Sequence, residues 1–463
     1  MTVLIALLGL AFLIFVAYRG FSVILFAPIA AMIPVLLTQP TAVPTVFTDL
    51  FMTKAVMFVK LYFPIFLLGA VFGKLIELSG FSKSICTVII RVVGAQRAIL
   101  SVVLVAAVLC YGGVSLFVVV FAVYPFAAEM FRAAEIPKRL MPAALALGAF
   151  SFTMDAVPGT PQIQNIIPTA FFKTTAWAAP WLGSIGALFI LVFGVLYLHW
   201  RARQARDRGE GYGADHLNEP APVTDEKIPP WPVAILPLLA VGIFNKLFTT
   251  LIPRAFGATD TRHLAGLKDP LVTQVSTFTA IWALEGALII GVLLVVVLAF
   301  RRVGGIFAEG TKPAIAGALL AVLNTGSEFG FGGVIAALAG FVTLRGALDV
   351  IPNPLVNAAI STNVLAGITG SASGGLSIAL SALGGQFISS AQAAGIPLEV
   401  MHRICAMASG GMDCLPHNGA VITVLAITGL THRQAYGDIF VITLIKTLAV
   451  FVVIGVYYAT GIV

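Results

Sequence analysis

Two carboxylates stand in matching surroundings on opposite halves of the chain. One lies in Met154-Asp155-Ala156-Val157-Pro158, the other in Met412-Asp413-Cys414-Leu415-Pro416. Both interrupt apolar stretches, where an ionisable side chain is costly and marks a candidate functional position. A carboxylate withdrawn from water in this way is a candidate proton carrier. Each also suits the N-cap of a following half-helix, with Pro158 or Pro416 tolerated in its first turn. Polar side chains crowd around the two blocks: Thr153, Thr160, Gln162, Gln164 and Asn165 at the first, Ser409, His417 and Asn418 at the second. Such density beside apolar helices points to a hydrated cavity. His417 changes charge near neutral pH, which suits proton coupling, and a structural histidine is the competing reading.

Two further segments carry backbone-exposing residues. They are Gly112-Gly113-Val114-Ser115 and Thr369-Gly370-Ser371-Ala372-Ser373-Gly374-Gly375. Glycine admits close backbone approach, and the hydroxyls of Ser115, Thr369, Ser371 and Ser373 can donate to a carboxylate or hydroxyl. Ordinary small-residue helix packing would use the same residues. Asn324-Thr325-Gly326-Ser327-Glu328 and Ser361-Thr362-Asn363 also interrupt apolar runs, and Glu328 is a third candidate proton carrier. Lys446, within the last apolar run, either snorkels or pairs. No metal-binding His-Glu-x-x-His, phosphate-cradling glycine loop or nucleophile elbow is present. Cys86, Cys110, Cys405 and Cys414 lack metal-ligand spacing, so neither a metal nor a cofactor is expected, and no enzymatic activity.

The elements that position these residues must be membrane spans. Of 463 residues, 59% are hydrophobic and only 10% charged, with a mean hydropathy of +1.02. A soluble chain carries about a quarter charged residues. The net charge of +7 resides in short loops between apolar runs, which is a topological use of charge and excludes a nucleic-acid partner. The apolar start, without a basic leader or small-residue cleavage site, is read as a first span. One long polar stretch, 201–230, divides a first membrane repeat (1–200) from a second (231–463). Trp200 and Trp231 flank it as interfacial anchors.

The first half reads as spans near 2–18, 21–38 and 55–73, a re-entrant hairpin over 98–131, a segment 140–171 broken near Asp155–Pro161, and a span 181–200. The second reads as spans near 232–251, 274–300 and 313–343, a hairpin near 355–391, a broken segment near 398–430, and a last span near 439–461. Placing basic loops inside makes the 201–230 linker cytoplasmic and both termini external. Each half then crosses an odd number of times, about five, so the second is inverted relative to the first. Ala134-Glu135-Ile136-Pro137 before the first Met-Asp block and Ala394-Gly395-Ile396-Pro397 before the second support the repeat. Inverted repeats with paired broken helices point to secondary transporters. Unwound backbone survives in lipid only where it lines a cavity or meets a ligand, and half-helix N-termini attract anions.

At these residues the chain resembles the gluconate permease (GntP) family of bacterial carboxylate–proton symporters, within the ion transporter superfamily. The resemblance spans essentially the whole chain. It is carried by Tyr111–Ser115, Phe152–Pro161, Asn324–Gly330 and Gly411–Gly419. It implies a homodimer with scaffold and mobile transport domains, inverted hairpins and elevator-type alternating access. It also implies small monocarboxylate substrates, including sugar acids and hydroxy acids such as 3-hydroxybutyrate. Sodium-coupled relatives in the superfamily carry a Ser-Asn-Thr arrangement at the hairpin tips. This chain lacks it, which leans toward protons.

The expectation is therefore an all-α, multi-pass protein of the bacterial inner membrane that imports a hydroxy-monocarboxylate with protons. Gly112, Gly113, Ser115, Thr153, Thr160, Gln162, Asn165, Thr369, Ser371, Ser373 and Asn418 are the expected substrate residues. Asp155, Asp413, Glu328 and His417 are the expected proton carriers. A sodium- or metal-coupled di- or tricarboxylate carrier and an anion channel are the alternatives.

Overall fold

The computed structural model describes residues 2–19, 21–94, 97–114, 116–214, 216–220, 228–340, 351–416 and 418–463. Ser115, His417, the end of the expected third span of the second half and part of the linker lie outside the described residues. Among the described residues, the regular structure apart from one two-stranded hairpin is helical, as the apolar runs require.

The first half begins with α1 (Thr2–Tyr18), α2 (Val23–Thr38) and α3 (Thr53–Leu78), the last entered through a π-helical stretch, Val46–Met52. There follow α4 (Phe81–Val93), α5 (Ala98–Tyr111), α6 (Leu116–Ala133), α7 (Met141–Ala149), α8 (Ile163–Phe172) and α9 (Pro180–Asp207). The second half comprises α10 (Trp231–Phe256), α11 (Val275–Leu298) and α12 (Phe307–Ala337), then α13 (Pro354–Thr369), α14 (Ala372–Ala393), α15 (Leu398–Gly410), α16 (Gly419–Thr428) and α17 (His432–Thr460). Among the described residues, six helical stretches are long and apolar enough to cross a bilayer. Leu188, Leu239, Leu293 and Leu448 stay exposed on them, as lipid-facing side chains do.

Packing follows the repeated order. α1, α2, α12, α3, α11 and α10 form a row in which each helix packs on the next. Exchanging the halves, α1 for α10, α2 for α11 and α3 for α12, leaves that row unchanged. The half-helices after the two breaks obey the same exchange. α8 of the first half packs on α14 and α15 of the second, and α16 of the second packs on α6 and α7 of the first. The halves are thus interlocked rather than set side by side.

Three expectations need correction. Asn324–Glu328 lies inside α12, which continues unbroken to Ala337, and Ser361–Asn363 lies inside α13. The Thr325 hydroxyl and the Asn363 amide nitrogen bond to carbonyls four residues back, so neither opens its helix. The region 81–93, between the expected span 55–73 and the hairpin 98–131 and assigned to neither, is the amphipathic helix α4, with Phe81, Ile85 and Cys86 buried along one face. The loop 252–272 contains the antiparallel pair Thr259–Arg262 and Leu271–Gln274.

Contacts between loops group the ends of these helices. Ser84 donates to the Pro229 carbonyl at 2.7 Å, and Arg302 to that of Ser79 at 3.3 Å. Arg139 binds Glu210 in the linker at 2.6 Å and Asp438, near the start of α17, at 3.2 Å. Lys138 binds Glu219 at 2.8 Å. At the far end of α17, Tyr458 donates to Asn353, the N-cap of α13, at 3.1 Å.

Candidate functional site

Each Met-Asp block breaks a helix, and the reasons are local. After α7 a single turn, Phe152–Asp155, leads into Pro158, Gly159 and Pro161, none of which continues a helix. Gly159 adopts φ +79°, and a Cβ there would overlap the Trp177 ring. The freed backbone finds partners. Thr160 Oγ1 donates to Thr153 O at 2.6 Å, and Asn165 Nδ2 donates to Thr160 O and Ala176 O, both at 2.9 Å. In the second half, α15 ends in the tight turn Gly411–Cys414 before Pro416. Asn418 caps α16, its Oδ1 accepting from Ala420 N at 2.6 Å.

The half-helix caps reach for the hairpin tips in both halves. Gln162, at the N-cap of α8, donates through Nε2 to Cys110 O at 2.6 Å and Val114 O at 3.3 Å in the first tip. Asn418, at the N-cap of α16, donates through Nδ2 to Gly370 O at 2.8 Å in the second. Gly113 (φ +94°) and Gly370 (φ +63°) turn the two tips. Ser371 caps α14 by accepting from Gly374 N at 3.0 Å, with Ser373 Oγ 3.4 Å away. Thr369 bonds back along α13, to Leu365 O at 3.2 Å, and Thr153 back to Gly148 O at 2.7 Å.

The two aspartates are handled differently. Asp413 Oδ1 accepts from Ala372 N at 3.0 Å, in the first turn of α14, and from Asn418 at 3.2 Å. Its Oδ2 accepts from Gln164 Nε2 of the first half at 3.3 Å. Asp413 therefore caps the helix of the second tip, in its own half, instead of the half-helix that follows it. Asp155 is fully buried and faces Lys446 Nζ at 3.1 Å from Oδ2, with no well-directed hydrogen bond on either oxygen. Lys446 also donates to Phe150 O at 2.9 Å and to Gly410 O. It pairs and does not snorkel.

Arg403 and His402 are members of this centre that the sequence reading missed. Arg403 is wholly buried and donates to Asp155 O at 2.5 Å, Asn165 Oδ1 at 2.9 Å and Ala178 O at 2.7 Å. His402 bonds Thr174 at 2.6 Å and Asn165 at 3.3 Å. Their signal was available, since both are ionisable residues inside the apolar run of α15. Glu328 lies on α12 against the first turn of α14, where a Cβ at Gly374 would overlap its carboxylate.

The structure thus gathers Asp413, Gln164, Asn418, Ser371, Ser373, Thr369 and Glu328 about the second tip. It gathers Asp155, Thr153, Thr160, Asn165 and Lys446 about the first break, and Gly112, Gly113 and Gln162 about the first tip. Ser115 and His417 are outside the described residues. Among the described residues no three His, Cys, Asp or Glu side chains are grouped to hold a metal. The centre offers buried charges, helix N-termini and hydroxyls at two breaks, the chemistry of anion binding and ion movement.

Comparison with known proteins gives the chain's relatives. The family model described as GntP family permease matches residues 58–241. An uncharacterized transporter of Bacillus subtilis (strain 168), YxjC, is 56% identical over 472 aligned residues, covering 100% of both chains. The crystal structure of the Alcanivorax borkumensis YdaH transporter superposes with a TM-score of 0.55 over 92% of this chain and 90% of that one, at 18% identity. The likeness to the last is one of fold alone.

Proposed function

This chain belongs to the GntP family of permeases and is a multi-pass membrane transporter, and from that premise we propose a secondary active importer of a small hydroxy-monocarboxylate driven by proton entry. The observation that carries the reading is Asp413, which holds the N-terminus of α14 with donors from both halves of the chain. A charged Asp413 occupies the helix end that an incoming carboxylate would use. Protonation removes its charge and weakens those three bonds, since hydrogen bonds to ionised acceptors are the stronger ones. The tip of α13 and α14 is then free to bind the substrate carboxylate through its backbone N–H groups, with Ser371, Ser373 and Thr369 beside it. Asp155, Glu328 and His417 are the other candidate carriers. Gln162 and the first tip form the counterpart, and Ser115, outside the described residues, is a proposed substrate hydroxyl.

The exchange symmetry of the packing supports two inverted repeats, 1–200 and 231–463. Arg132 at the open end of the first hairpin pairs with Glu219 of the linker, whereas Asn353 at the open end of the second touches the far end of α17. An elevator-type movement of the hairpins and broken helices against the α1–α2–α12–α3–α11–α10 row is the corresponding alternating-access step, in a homodimer of the bacterial inner membrane with the linker cytoplasmic and the termini external.

The test is uptake in proteoliposomes. Asp413→Asn and Asp155→Asn each reduce proton-driven accumulation at least tenfold while leaving substrate counterflow less affected. Equal accumulation by wild type and both variants removes the carboxylates from coupling. Accumulation driven by a Na⁺ gradient alone converts the reading to a sodium-coupled carrier, and flux that no gradient can concentrate converts it to a channel.

A further inference from the structure

Lys446 projects from the middle of α17 to a point where three oxygens meet its ammonium. Its ammonium donates to the carbonyls of Phe150 and Gly410 and lies 3.1 Å from Asp155 Oδ2. Both carbonyls belong to helix ends: Phe150 lies just beyond α7, and Gly410 is the last residue of α15, where it turns into Gly411–Cys414. The second Asp155 oxygen is buried without a hydrogen bond. Gly410 has no side chain, and a Cβ there would overlap the Asp155 carboxylate and lie 3.0 Å from the ammonium. Two helix-end carbonyls, one from each half, plus a carboxylate form the donor set with which broken membrane helices hold an alkali ion.

A salt bridge alone would not require this geometry. Burying an ammonium is costly, and pairing with one carboxylate does not by itself recover the cost. Here the remaining protons of the ammonium are taken up by the two carbonyls where helices from the two halves end side by side. We infer that Lys446 is a tethered cation: its ammonium fills an oxygen cage that would otherwise take Na⁺, and so bars a dissolved alkali ion from the Asp155 break. The cage is defined by Asp155, Phe150 and Gly410 and is independent of any substrate. Its bearing on transport rests on the carrier reading above: while Asp155 is ionised, the filled cage neutralises the break without a sodium ion.

The experiment removes the tether and offers free ions. Lys446→Ala, purified in detergent, is heated in NaCl, LiCl, methylammonium chloride or choline chloride at equal ionic strength. Na⁺ or methylammonium raises its Tm saturably, by about 3 °C or more over choline, as binding to the folded state requires. Wild type, Lys446→Arg and the double variant Lys446→Ala/Asp155→Asn show no such difference. If Lys446→Ala does not fold in choline, a monodisperse protein is recovered in Na⁺ or methylammonium. Identical Tm values in all four salts, or failure to recover the variant in any of them, overturns the inference. Because no substrate is added, a negative result here leaves the transport reading intact, and a negative uptake experiment leaves the cage intact.

Discussion

Arg403 carries a full charge into the centre of the protein and spreads it over three oxygens on three segments. Those oxygens belong to Asp155, Ala178 and Asn165, so one side chain ties the first break to the loop before α9 and to α8. Arg403→Ala strips all of them of a donor at once. A loss on the order of 3 kcal/mol or more is expected, because the buried carbonyls of Asp155 and Ala178 lose this donor. Arg403→Lys recovers little of it, since a single ammonium cannot reproduce the planar fork. Thermal unfolding of the two variants in detergent measures this, and a wild-type Tm for Arg403→Ala would show the network to be dispensable. Asp155 and Asp413 were legible as charges in apolar surroundings. The distinct partners of each were not, because Lys446 and Ala372 are remote in sequence and only the fold brings them near. Arg403 and His402 were legible by the same rule but lay a turn or more before the break that drew attention.

At the scale of elements, hairpins depend on how closely their two helices approach. Gly375 of α14 faces the backbone of Ala366 in α13, and a Cβ there would overlap it. Gly375→Val should therefore force the arms apart and sharply reduce the yield of folded protein. Gly385→Ala, in the same helix but with open space around it, should be neutral or slightly stabilising through helix propensity. Size-exclusion profiles and Tm values of the pair separate local crowding from a general aversion to substitution in α14. The hairpins and both broken helices were readable from glycine and proline set within apolar runs. The polar stretch at Asn324–Glu328 was misread as an interruption, because hydroxyls that bond to their own helix leave the same trace in composition as those that face a cavity. The helix α4 was missed since its thirteen residues are too few and too amphipathic to register as a span.

For the whole molecule, the linker is clasped to the loop before α7 and to α17. Hydrogen bonds from Arg139 hold the Glu210 carboxyl below its ordinary value of 4.5. Burial pushes the Glu219 carboxyl up, but bonds from Lys138, Tyr212 and Arg132 together bring it below the same value. Both glutamates are thus more acidic in the folded protein, so their contribution is fully present above pH 4.5 and is lost as pH falls through the depressed values. Wild type should exceed Glu210→Gln/Glu219→Gln in Tm between pH 6 and 8, by a margin that vanishes in more acidic buffer. A margin that does not change with pH would refute the clasp. The order of elements in the two halves could be read from the chain, whereas their interlocking could not, because nothing local tells α8 to pack on the hairpin of the other half. That interlocking has a bearing on biosynthesis. Asp155 is made 291 residues before Lys446, roughly 15–60 s at ordinary ribosomal speed. Throughout that interval the nascent chain holds a carboxylate whose counter-charge has yet to emerge. The first half must therefore wait beside the insertion machinery, incompletely packed, until the final helix arrives to close it.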